Sequence, residues 1–591
     1  MDETFTKWGY GKATAYLSFS FPWINGNLAS WQNNYDSNNP QNATYHFGLN
    51  SIQQQAARDA LQSWSNVANV NFSEVSETSA NVGDFRFTFS SALESGIWGY
   101  SQYPNNYWAS SADVWINSDL GNDKDWEVGT YNYESLMHEI GHGLGLKHPG
   151  NYNGNNGSTP GPYLSSTLDN RLYTIMSYND PLNNFYPIYG NLNGKSTFLT
   201  WNINPETPMV LDIAAIQYIY GANYSYKTGD DVYTFNPLNP FFKTIWDAGG
   251  DDTIDITNFS TNCVIDLIPG NYSSIRFPKP ADTGGQTATY DGTNNLGIAY
   301  NCYIENAKGG TGNDQIIGND FANELDGGDG NDSLNGGNGD DLLDWDINLR
   351  GGDDTLIGGL GNDRYCIRGN DLVIENASGG MDTVFVATNY SIINTYLENI
   401  RAYSNSNENL QFTGNSFDNF LQGALGNDTL IGGNGNDTLD GGDGIDTVIL
   451  NGSYADYGKS LNSTTNLYTF IKNTGISTTD YISNIEIFKF TNRTLKAANL
   501  FDLSKAPTLN SFSSPVATGI EDNSVTITFS TLQAQGDESD IDGTVDAFVI
   551  KAVNSGIDRY TLIRTRFFEV FYKKKGVLND KQNQKNLYTR I

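Results

Sequence analysis

In two blocks, 309–366 and 414–449, the chain repeats itself with a nine-residue period, and no other feature constrains its fold so tightly. Gly309-Gly-Thr-Gly-Asn-Asp314-Gln-Ile-Ile opens the series, and copies begin at 318, 327 and 336. Four inserted residues, Trp345 to Asn348, move the frame to 349, and another copy begins at 358. A second block starts at 414 and continues at 423, 432 and 441, while partial copies end in Asp252 and Asp382. A short fixed period means stacked units, each too small to bury its apolar face alone. The glycines permit a tight turn whose carbonyls point at an ion, and the sixth-position aspartate adds a carboxylate. Asp314, Asp332, Asp341, Asp354 and Asp363 take that position in the first block, and Asp428, Asp437 and Asp446 in the second. The apolar eighth residue (Ile316, Leu325, Leu334, Leu356, Tyr365, Leu430, Leu439, Val448) is expected to form a short strand facing the core. Oxygen-only, flexible coordination selects Ca²⁺. Without it, stacked aspartates repel and glycine entropy opposes order. Copy 318 carries Asn323 at the sixth position and copy 349 lacks the first two glycines, so sites bordering them are expected to be weak or empty.

A second constellation lies upstream. The chain has only 4 histidines, and three fall within His138-Glu-Ile-Gly-His142-Gly-Leu-Gly145-Leu-Lys-His148. On a helix His138 and His142 stand one turn apart and face the same way. Gly145 falls where the helix must stop, because glycine accepts the left-handed conformation that brings His148 back toward the pair. Three neutral imidazoles leave one coordination position open, the pattern of a catalytic zinc site. Glu139 is too close to be a natural third ligand, yet well placed to take a proton from a water at the metal. Tyr173-Thr-Ile-Met176-Ser-Tyr178 follows, where Met176 fits a turn passing beneath the metal or, taken alone, ordinary core.

These residues, with Pro149 and Asp212-Ile-Ala-Ala-Ile-Gln-Tyr-Ile-Tyr-Gly-Ala-Asn223, resemble the serralysin branch of the metzincin metalloproteases over roughly residues 8 to 495. The nonapeptide resembles the RTX repeat, which implies a parallel β-roll. The resemblance further implies that Tyr178 is a fifth zinc ligand that swings away to hydrogen-bond the oxyanion. It implies that the last strand before the zinc helix is an edge against which substrate lies extended. Also implied are export by type I secretion machinery with signals at the far end of the chain, and broad specificity for protein or peptide substrates. The expected cofactors are one catalytic Zn²⁺ and several structural Ca²⁺.

Composition narrows the partners. With 67 acidic against 33 basic residues and a formal charge of −34, the chain should repel nucleic acid and anionic membranes. No apolar run is long enough to span a membrane, and Met1 to Lys12 lacks a classical signal peptide. Cys263, Cys302 and Cys366 are odd in number and widely separated, so buried free thiols are expected, with no cysteine switch. A secreted monomer is the expectation.

The expected fold is an α+β metzincin-like zinc protease domain over 1–225, then an all-β RTX domain with spacer and cap strands over 226–500. In the first domain, alternation at Ala15, Leu17 and Phe19 predicts a strand, and Ile52, Ala56, Ala60, Trp64 and Val67 mark an amphipathic helix. Ile97–Tyr103 and Asp113–Asn117 supply strands ahead of the zinc helix, and 209–220 form a closing helix. Residues 501–557 read as an incomplete β-sandwich-like, adhesin-like segment. The stretch 558–591, with nine basic and three acidic residues, shows no persistent period and reads as a frameshifted or disordered tail. The rival to a secreted, calcium-dependent zinc endopeptidase is a calcium-binding surface or adhesion protein carrying an inactive protease domain.

Overall fold

The structure is a computed structural model. It describes residues 7–8, 14–23, 46–78, 82–91, 93, 95–104, 111–121, 125–152, 161–192, 195–280, 285–345, 351–475, 477–501, 525–528 and 567–570, with no side chains described for 188–201, 525–528 and 567–570. The chain forms two compact units, Met1–Asp382 and Thr383–Ile591.

The first unit begins with a twisted sheet of β1 (Ala15–Ser20), β2 (His46–Gly48), β3 (Val70–Glu74), β4 (Phe85–Ser90), β5 (Gly99–Ser101) and β6 (Val114–Asn117). The strand order is β3-β1-β4-β6-β5; β1, β3, β4 and β6 run parallel, while β2 and β5 pair antiparallel. β1 alternates as expected, with Ala15, Leu17 and Phe19 buried and Tyr16 exposed. Helix α1 (Ser51–Val67) is capped by Asn50, whose side chain accepts from the Ile52 and Gln53 amides, a capping box closed by the Gln53 side chain. It buries Ala56, Ala60, Trp64 and Val67, but Ile52 is exposed because its first-turn position points past the packed stripe.

Helix α2 (Tyr131–Gly143) is started by Thr130 and is buried along nearly its whole length, packed on α1 and the sheet. A Cβ at Gly143 would lie 2.4 Å from Phe85 Cε1, so glycine lets the helix approach the sheet. Its terminal carbonyls find partners from far along the chain: Trp8 Nε1 donates to Gly143 O (2.8 Å) and Tyr220 Oη to Leu144 O (2.9 Å). Tyr220 belongs to α3 (Val210–Tyr220), which also buries Ile213 and Ile216.

Short parallel strands then stack into two facing sheets. One takes 253–255, 306–308, 324–326, 342–343 and 364–367, and the other 264–266, 315–317, 333–338, 355–360 and 372–374. Registers such as Ile316↔Leu334↔Leu356 align the eighth positions, and those of both blocks are fully buried or nearly so. The second unit repeats the plan with 383–386, 399–402, 420–422 and 438–440 opposite 390–391, 411–413, 429–431 and 447–449. The stretch 397–414 contributes the strands 399–402 and 411–413 to this roll. Antiparallel strands 457–462, 467–472, 479–483 and 494–496 close it. Val525–Thr528 pairs with Phe567–Val570, a strand inside the stretch expected to have none, where the β-favouring run Phe-Phe-Glu-Val overrides the lack of longer period. The remainder of the predicted 501–557 and 558–591 segments lies outside the described residues. All three cysteines are buried and free. Among the described residues no helix is long and apolar enough to cross a membrane.

Candidate metal centre

Helix α2 carries His138 and His142 toward a common point, and the chain then reverses at Gly145, whose φ is +101°. The reversal is locked by Leu146 N–H to Gly141 O at 2.9 Å. It delivers His148 to the pair and also turns Leu146 O back to meet His142 Nδ1 at 2.8 Å. Ile175 O, on the Met176 turn, meets His138 Nδ1 at 2.7 Å. Both Nδ1 atoms therefore hold their protons against carbonyls, which directs the Nε2 lone pairs inward. The Nε2 atoms of His138 and His142 lie 3.2 and 3.0 Å from that of His148. Ligands about 2.0–2.1 Å from a tetrahedral zinc are roughly 3.3–3.4 Å apart, so this donor set fits zinc. Burial pushes His138 down to about 3 and His142 well below its ordinary range, so the rings are neutral, the form that ligates.

Glu139 is buried beside the three rings and pushed up to about 8 by desolvation, which a hydrogen bond from the Ser101 backbone N–H opposes. A nearby dication would restore the carboxylate. Ser101 lies on β5, and a Cβ at Gly99 would be only 3.4 Å from Glu139 Cγ, so this strand packs directly over the carboxylate. β5 is the edge. The expected edge, the last strand before the helix, is β6, and it is interior because β4 and β5 flank it. Sheet order is set by long-range pairing, and proximity to the helix in sequence does not report it.

Tyr178 is 54% exposed, with its ring centroid 4.4 Å from that of His148 and 5.6 Å from that of His138. Met176 is buried beneath α2: a Cβ at Gly141 would lie 2.7 Å from Met176 Sδ and 3.3 Å from Trp64 Cζ2. Gly141→Ala should therefore destabilise the protein by about 1–3 kcal/mol through overpacking, read as a lower Tm; an unchanged Tm would contradict this packing.

Several residues hold the centre in place in roles that the sequence does not assign to them. Asp212 on α3 accepts from Thr174 Oγ1 (2.6 Å), Ile175 N (2.8 Å) and Met209 N (2.9 Å), and so holds the turn that holds His138. Glu134 on α2 pairs with Arg171 at 3.0 Å, and Arg171 also binds Asp180 at 2.7 Å. An acidic residue at the third position of a predicted helix was the available signal for Asp212. Nothing local announces the Glu134–Arg171 pair.

In the rolls, Asp314, Asp332, Asp341, Asp354, Asp363, Asp428, Asp437 and Asp446 are all buried. One oxygen of each accepts a backbone N–H from the preceding turn, as Asp332 Oδ1 does from Asp314 N and Asp446 Oδ1 from Asp428 N (both 2.7 Å). The Oδ2 atoms of Asp332, Asp341, Asp363 and Asp446 are buried with no hydrogen-bond partner, which fits a cation as their missing neighbour. Three further acidic groups lie within ligand distance of one another: Asp231, Asp247 and Asp252; Asp344, Asp354 and Asp371; and Asp363, Glu375 and Asp382. Five of these residues fall outside the sixth-position pattern, so the repeat does not point to them. Where asparagine replaces aspartate, Nδ2 of Asn323 donates to Glu305 O (2.8 Å) and Nδ2 of Asn419 to Glu398 O (3.1 Å). Both therefore present a donor to the preceding turn, where an aspartate would present an oxygen.

The matrixin family model matches residues 30–154, and the model for the peptidase M10 serralysin C-terminal domain matches residues 211–491. Serralysin of Proteus mirabilis is 34% identical over 334 residues, 52% of this chain and 60% of its own length. Serralysin G of Dickeya chrysanthemi is 34% identical over 326 residues with the same coverages, and serralysin C of that organism 37% over 293 residues, 47% of this chain and 56% of its own. The chain thus spans about 60% or less of the length of these curated relatives.

Proposed function

From the premise that the chain belongs to the serralysin family of metalloproteases, we propose that it is a secreted, calcium-dependent zinc endopeptidase acting on protein substrates. The observation that carries this reading is the convergence of three Nε2 atoms beside a buried carboxylate under an open strand edge. Zinc, when bound, supplies Lewis-acid polarisation of the scissile carbonyl and makes a water acidic. Glu139 takes the proton of the attacking water on its carboxylate and hands it to the departing amine. The Tyr178 hydroxyl donates to the developing oxyanion. β5, with a strand on one side only among the described residues, offers main-chain groups to an extended substrate. Residues 1–225 carry this chemistry and 226–500 the calcium, which is plentiful outside cells.

Metal analysis paired with a casein zymogram tests the reading. One zinc per chain, and a clearing zone abolished by EDTA and restored by zinc with calcium, is the expected result. A zinc-loaded, calcium-loaded chain that clears nothing would leave the adhesion-type reading in its place.

A further inference from the structure

Tyr152, four residues beyond His148, has no part in the chemistry above, yet it connects both halves of the centre. Its hydroxyl donates to Asp169 Oδ1 at 2.7 Å, and the same oxygen accepts from Ser177 Oγ at 2.7 Å. Asn179 N donates to Ser177 Oγ (3.1 Å) and Asn179 Nδ2 to Asp169 O (2.8 Å). Both chain neighbours of Tyr178 are therefore tied to Asp169, and the Tyr178 backbone N–H faces the Tyr152 hydroxyl. The Tyr152 ring also lies against the Tyr178 ring, with centroids 5.0 Å apart, and against His148 at 5.5 Å. Space for it depends on Gly150, where a Cβ would sit 2.1 Å from Tyr152 Cε1 and 2.6 Å from Asp169 Oδ2.

We propose that Tyr152 is a positioning residue: through Asp169 and Ser177 it braces the backbone that bears Tyr178, and its ring limits how far the Tyr178 side chain swings from the metal centre. The inference rests on the endopeptidase reading and adds a residue to it. Tyr178 is largely exposed and no hydrogen bond restrains its ring in the described structure, so its resting place is set by its backbone and by stacked neighbours. A transition-state donor displaced by even about 1 Å loses much of its effect, whereas ground-state binding along β5 is untouched.

Tyr152→Phe keeps the ring and removes the hydroxyl. Its kcat is expected to fall about tenfold or more with KM within about twofold of the parent and zinc content unchanged. Backbone amides of residues 173–180 should exchange with deuterium faster, a measurement that needs no activity. Ser177→Ala, which leaves Asp169 with one donor fewer, should move both readouts the same way. In a Tyr178→Phe background, Tyr152→Phe should change kcat by less than about twofold, because the residue acts through Tyr178. An equal loss in that background, or unchanged exchange, overturns the proposal. A Tyr178→Phe chain as fast as the parent overturns it too, and places the failure in the role given to Tyr178. A parent chain that holds zinc but cuts nothing defeats the endopeptidase reading, while the exchange rates still decide whether Tyr152 braces the turn.

Discussion

A Glu139→Gln chain is expected to hold zinc as the parent does and to hydrolyse casein about 10²–10⁴-fold more slowly. Glutamine has the shape of the native side chain, so the packing of α2 against β5 survives. The imidazoles of His138 and His142 are oriented by Ile175 O and Leu146 O, neither of which involves Glu139, so their place in the ligand set survives as well. What disappears is the carboxylate beside the rings, and with it the group that takes and returns the proton. The Ser101 N–H, which now stabilises a carboxylate, would face the amide oxygen and leave the amide nitrogen toward the substrate, a donor where an acceptor is required. Inductively coupled plasma analysis and a fluorogenic peptide assay on the same preparation check both halves. Wild-type hydrolysis by a zinc-loaded Glu139→Gln chain would remove Glu139 from the mechanism.

The convergence of the histidines was legible in the chain because it depends on local geometry: helical spacing joins His138 to His142, and Gly145 adopts the left-handed turn its position requires. The groups that orient those rings were not legible. They are main-chain carbonyls, which carry no residue signature, and one of them arrives from the Met176 turn, held in place by Asp212 from a third element. The strand edge was misassigned for a related reason. β5 and β6 are neighbours in sequence, and it is the pairing of β6 with β4, a contact between distant segments, that leaves β5 as the outer strand among the described residues. In the rolls, strict period exposed the core and the sixth-position aspartates, because each turn repeats the same local conformation. Asp231, Asp247, Asp344, Asp371 and Glu375 reach their clusters from single positions outside that period, so only the stacked coordinates bring them together. The Asn323 and Asn419 turns show the converse. A departure from the motif that reads as a defect is satisfied by donation to the preceding turn, in the same way in both rolls.

Calcium dependence should itself depend on pH, and the direction follows from the buried aspartates. With no cation bound, desolvation first and then neighbouring carboxylates raise Asp332 and Asp341 to about 8, Asp437 to about 7, and Asp354, Asp363 and Asp446 to about 6. In the unfolded chain each would titrate near 4. Between those values the folded, calcium-free roll holds protons that the unfolded chain has released. Its stability is therefore greatest below about pH 4 and declines as pH rises toward about 8, where buried charges must face one another. Calcium reverses the balance, because it coordinates the ionised form and must expel those protons to bind. At about pH 8, where the calcium-free roll is least stable, circular dichroism should show order gained on calcium addition and lost with EGTA, and calorimetry should follow the calcium titration itself across pH. Its midpoint should move to lower calcium as pH is raised from about 5 to about 8, and then level off once the aspartates are ionised without help. Protons should be released on binding at about pH 6 and scarcely at about pH 9. The two roll sequences hold this behaviour in common, so Asp332→Asn and Asp437→Asn should each flatten part of the pH response while raising the calcium required. A midpoint that stays constant across this range would mean that the aspartates are already charged in the calcium-free fold, and that burial of uncompensated carboxylates is not what makes the rolls wait for their cation.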